Sequence, residues 1–98
     1  MDELRKELLR EIVGIYGPMQ GQSIGSIIIP AFIGDFKKVL EKDESFGEVS
    51  EEYMTEDKKV HILLEGRKIL GRKGYSLKIT GCEVNGRKLT VDENCLYA

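Results

Sequence analysis

The sequence is poor in the residues that catalytic centres and secreted scaffolds depend on. It has one histidine, His61, and two cysteines, Cys82 and Cys95. Neither a histidine-rich metal centre nor a disulfide framework can be assembled from that inventory. The longest apolar run covers residues 27–33, only seven positions, and Pro30 interrupts it. It is too short to span a bilayer, so no membrane partner is expected. The opening Asp2, Glu3, Leu4, Arg5 and Lys6 is charged, and no apolar segment of the secretory type follows it. With so few cysteines, the expected compartment is the reducing cytoplasm. Only four residues are Asn or Gln, while 33% are charged. That balance is the composition of a heat-adapted protein. The 98 residues, 41% of them hydrophobic, are one domain's worth of sequence with material for one modest core.

What the chain does have is a strong internal charge asymmetry, hidden by a net charge of −2. Residues 1–57 carry 6 bases against 13 acids, whereas residues 58–88 carry 9 bases against 2 acids. The first segment is therefore −7 and the second +7. Such a division attracts a polyanion to one face, and it equally draws the acidic half of one copy onto the basic half of another.

Apolar residues recur at helical spacing from Leu4 to Tyr16, Asp2 stands at a capping position, and Gly17-Pro18 ends the pattern. Residues 19–31 read two ways: Ile27, Ile28 and Ile29 suit a buried strand, and Gln20 to Ile28 suits a short helix stopped before Pro30. Ile33, Phe36, Val39 and Leu40 then form the apolar stripe of a second helix over 33–43.

After Ser45 the period changes to two. Strands are expected over 46–54, 59–64, 67–70, 75–84 and 87–91, with turns at 55–58, 71–74 and Asn85-Gly86. The Asn-Gly register sets Glu83 against Lys88 and Cys82 against Leu89. Leu77 and Ile79 then fall on the wet face unless one residue is inserted before Cys82. A bulge at Thr80-Gly81 is therefore predicted. The fold class is α+β, with N-terminal helices (1–45) packed on a C-terminal antiparallel β-meander (46–98) in a single domain.

The triplet Gly-Arg-Lys occurs three times, at 66–68, 71–73 and 86–88. Each sets two cations beside a turn-permissive glycine, where they can reach phosphates without a shaped pocket. Hairpin turns and guarded strand edges use the same residues, so a solvated basic face is the plain alternative. The candidate nucleic-acid contacts are Lys58, Lys59, Arg67, Lys68, Arg72, Lys73, Tyr75, Arg87 and Lys88, with Tyr75 as a stacking surface. Lys58, Lys59, Arg87 and Lys88 are expected to form the one compact patch, because the turns at 55–58 and 85–86 share an end of the meander. His61 lies between inward residues and points outward. Cys82 and Cys95 read as small apolar residues rather than a bridge. Glu48, Glu51, Glu52, Glu56 and Asp57 read as a solvated wing, without the alternation of oxygen ligands that a hard cation needs. No metal, cofactor or catalytic set is expected, since no nucleophile, base and orienting residue stand at a recognisable spacing.

Leu4-Arg5-Lys6-Glu7-Leu8-Leu9, Gly17-Pro18-Met19, Ser23-Ile24-Gly25-Ser26-Ile27-Ile28, the stretch 36–40 and the hairpin to Leu64 follow one another in an order that resembles the OST-HTH (LOTUS) type of winged-helix domain. The resemblance covers residues 2–64 and gives the fold a winged-helix-like start. It implies that 19–29 is helical and that the roles are RNA binding or protein docking. Together these readings describe a small non-catalytic module for nucleic acid, RNA or single strands before duplex. A homo-oligomeric or accessory protein-interaction subunit is the alternative.

Overall fold

A computed structural model describes residues 2–44 and 47–91. Two helices come first, α1 (Asp2–Tyr16) and α2 (Pro18–Lys42). Four strands follow, β1 (Val49–Met54), β2 (His61–Gly71), β3 (Gly74–Val84) and β4 (Arg87–Lys88). They form one antiparallel sheet in the order β1-β2-β3-β4, so the α+β meander is the observed architecture. Expectations for Phe46 and Cys95 lie outside the described residues.

The second helix differs from the sequence reading. The expected helix over 33–43 is the C-terminal part of one 25-residue helix that starts at Pro18 and runs through Pro30. Proline inside a helix removes the hydrogen bond to the carbonyl four residues earlier and costs about 3 kcal/mol. Packing on both sides outweighs this cost. Before Pro30, Gly21 lies so close to α1 that a Cβ there would sit 2.5 Å from the Val13 Cα. After it, Ile33, Phe36 and Leu40 are buried in the core. Pro30 itself is exposed, so water can reach the carbonyl it leaves unbonded.

The core is a single layer between helices and sheet. Leu4, Leu8 and Ile12 enter it from α1, and Ile29, Ile33, Phe36 and Leu40 from α2. The sheet contributes Ile62 and Leu64 from β2, with Leu77, Ile79, Cys82 and Val84 from β3. The β3 set changes parity between Ile79 and Cys82. Glu65 pairs with Gly81 and Gly66 with Ile79, which leaves Thr80 as the extra residue. The predicted bulge is therefore present, and it keeps both halves of β3 directed at the helices. At the Asn85-Gly86 turn both residues have positive φ, 49° and 84°, as a two-residue hairpin of this hand requires. Glu83 faces Lys88 as expected, and the Leu89 N–H donates to the Cys82 carbonyl at 2.9 Å.

Gly66 is where the sheet meets α2 most tightly. A Cβ there would lie 2.5 Å from the Lys78 carbonyl oxygen and 2.9 Å from Phe36 Cε2. Gly66→Ala is expected to destabilise the fold by about 2–3 kcal/mol through overpacking against backbone, read as a lower urea midpoint. An unchanged midpoint contradicts the tight contact.

Candidate nucleic-acid interface

The two ends of the meander treat their cations differently. At the end that holds the β1–β2 and β3–β4 turns, Asn85 binds the turns together. Its side chain accepts from the His61 N–H at 2.8 Å and donates to the Lys59 carbonyl at 3.0 Å. Lys58, Lys59, Arg87 and Lys88 are thus brought to one end, as the turn arithmetic required. The expected compact basic patch nevertheless does not form as a field of one sign. Arg87 pairs with Glu11 of α1 at 3.5 Å, Lys88 is the cross-strand neighbour of Glu83, and the Lys59 ammonium lies 5.8 Å from the Tyr16 ring centroid.

Asp57 adds a further negative charge at this end. Its carboxylate accepts from the Thr55 hydroxyl at 2.6 Å, from the Tyr16 hydroxyl at 2.7 and 2.8 Å, and from the Lys59 N–H at 3.0 Å. The Thr55 bond first, then the Tyr16 and Lys59 bonds, hold its pKa down at about 2. The network ties the end of α1 to the β1–β2 turn, so it is a structural clamp.

The opposite end is a hairpin arm made by the far halves of β2 and β3. Leu70 to Ser76 are all exposed there, beyond the packed layer. Gly74 has φ of 126°, which lets the chain reverse directly after Arg72 and Lys73. Residues 66–80 contain five cations and no acid. Arg72 and Lys73 stand exposed at the tip. Behind them on the outer face, Arg67 of β2 and Lys78 of β3 are direct cross-strand partners. Like charges placed opposite each other disfavour the sheet, so this pair is a place where an anion gains from binding. Lys78 was not among the residues singled out in the sequence. The signal was available, because a bulge at Thr80 puts Lys78 on the outer face opposite Arg67. On the bulge side of this pair, Glu48 accepts from the Thr80 hydroxyl at 3.0 Å, and Glu65 covers Gly81.

Lys68 differs from the expected exposed placement. It faces the helices, 7% exposed, and its ammonium donates to the backbone carbonyls of Glu41 at 2.7 Å and Asp43 at 2.6 Å. These are carbonyls at the end of α2, where the negative pole of the helix favours a cation. Tyr75 is 43% exposed, and the Lys68 ammonium lies 4.8 Å from its ring centroid. Leu70, its cross-strand partner, is 73% exposed. His61 points outward as read from the sequence, with Nε2 3.1 Å from a Glu52 carboxylate oxygen. Among the described residues, no group of three or more His, Cys, Asp or Glu side chains is arranged to hold a metal ion, and no helix is long and apolar enough to cross a membrane.

Comparison with known proteins adds no relative: no family model, no curated protein and no solved structure matches the chain.

The Asp57 clamp has a defined pH signature. A carboxyl whose folded pKa is depressed to about 2 stabilises the fold above its unfolded pKa near 3.8, and that contribution is lost as pH falls from about 4 to 2. Asp57→Asn is therefore expected to be less stable than the parent protein at pH 7, with the gap closing by pH 2 in urea titrations. A gap of constant size across that range contradicts the clamp.

Proposed function

We propose that the protein is a non-catalytic module that binds nucleic acid through the β2–β3 arm. One observation carries this reading: a hairpin free of acidic residues presents Arg72 and Lys73 at its exposed tip and Arg67 and Lys78 on its outer face. Phosphate contacts of this kind release counterions and need no enclosed pocket, which agrees with the open shape of the arm. The cations at the other end have acidic neighbours, so they contribute little net field. Arg72, Lys73, Arg67 and Lys78 are thus the principal contacts; Tyr75 follows the turn that carries Arg72 and Lys73, on the face of the arm opposite to Arg67 and Lys78. Lys58, Lys59, Arg87 and Lys88 are secondary.

A second reading is favoured by the acids of β1 and its turn. Glu51, Glu52, Glu56 and Asp57 offer the arm of another copy a complementary surface. In that case the protein self-associates, and the association loosens as salt rises.

Fluorescence anisotropy with labelled single-stranded RNA, single-stranded DNA and duplex DNA at several salt concentrations tests the first reading. Four phosphate contacts predict a slope of log K against log salt near about −3 for single strands. Arg72→Glu with Lys73→Glu is expected to weaken binding by roughly tenfold or more at low salt, and Arg87→Glu with Lys88→Glu to have a much smaller effect. Absence of binding at low salt, together with a salt-sensitive dimer mass, favours the second reading instead.

A further inference from the structure

The aromatic ring on the arm lies against a cation that is almost wholly buried. Lys68 crosses from β2 to the end of α2, where two backbone carbonyls fix its ammonium. The same ammonium lies over the Tyr75 ring at 4.8 Å from the centroid. A cation over one face of an aromatic ring is attracted by the ring quadrupole and restricts the ring's orientation. Lys68 occupies one face of the ring, and the residue remains 43% exposed. Leu70, directly across the strand pair, widens the apolar surface beside the ring. The two cations of the turn, Arg72 and Lys73, precede the ring by three and two residues.

We infer that the face of the Tyr75 ring opposite Lys68 is a stacking platform for an unpaired base, and that Lys68 is the positioning residue that presents it. This rests on the reading that the arm meets nucleic acid, and it narrows the ligand to single strands or to loops whose bases are unstacked. Duplexes keep their base faces inside the helix, so an exposed ring next to the two turn cations gains more from a single strand. The geometry separates two contributions. Arg67, Arg72, Lys73 and Lys78 act on phosphates and set the salt dependence. Tyr75 acts on a base face and adds affinity that salt does not screen. Lys68 serves the ring rather than a phosphate, because its ammonium already donates to the Glu41 and Asp43 carbonyls.

An abasic oligonucleotide retains the phosphates and lacks the base faces, so it is the probe that tests this assignment. The parent protein is expected to bind a single-stranded oligothymidylate roughly tenfold more tightly than an abasic strand of equal length. Tyr75→Leu, an exposed change, is expected to abolish that preference and leave the salt slope as it was, while Tyr75→Phe preserves both. Lys68→Met is expected to reduce the preference without reducing the salt slope, with circular dichroism confirming that the variant is folded. A slope lower by about 0.7 in Lys68→Met would identify Lys68 as a phosphate contact and overturn its positioning role. Equal affinity of the parent protein for the two strands, or a Tyr75→Leu variant that keeps the preference, overturns the platform while binding by the arm stands. Failure to bind either strand removes the underlying reading as well.

Discussion

The arrangement of this protein depends on one extra residue in β3. Were Thr80 held as a regular strand residue rather than bulged out, strict alternation would set Leu77 and Ile79 on the opposite face from Cys82 and Val84. The core could then use one half of the strand but not both. The bulge restores the parity, and all four residues are buried under the two helices. It also fixes the outer face of the arm, because the same shift brings Lys78 opposite Arg67. A constraint imposed by burial thus determines where the charges stand.

The charges sort along the meander as a consequence. Helix α1 ends beside the β1–β2 turn and supplies Glu11 and Tyr16 to the cations there. The clamp on Asp57 adds further negative charge to that end. The arm extends past the end of α2, and its tip from Leu70 to Ser76 is exposed. Its one buried cation, Lys68, is engaged by the helix terminus, and the remaining four face solvent or the outer surface of the sheet. The +7 segment of the sequence is therefore two unlike regions: one compensated by its neighbours, the other open.

Much of the sheet was legible in the sequence, since its determinants are local. Asn85-Gly86 defines a turn, the turn defines a register, and the register demands a bulge where Gly81 permits one. The outward placement of His61 follows from the same alternation. The continuity of α2 was not legible, because Pro30 argues locally for a break. What overrides it is the contact of Gly21 with α1 and of Phe36 and Leu40 with the sheet, and these are long-range. The α1 neighbours of Arg87 and Lys59, the Glu11 carboxylate and the Tyr16 ring, stand more than forty residues away in sequence, so composition alone grouped those cations with the arm. Lys68 illustrates a different limit. Composition treats it as one more cation, yet parity along β2 sets it with Ile62 and Leu64 on the helix side, where only a polar terminus can receive it.

The most direct test of the account is a residue-resolved map of the binding surface: amide chemical-shift perturbation on titrating the protein with a short single-stranded oligonucleotide. The account predicts that the largest shifts fall in residues 67–78, with Arg72, Lys73 and Tyr75 foremost and only minor changes at Lys58, Lys59, Arg87 and Lys88. Shifts concentrated at the latter four residues, or none at saturating oligonucleotide, would contradict it.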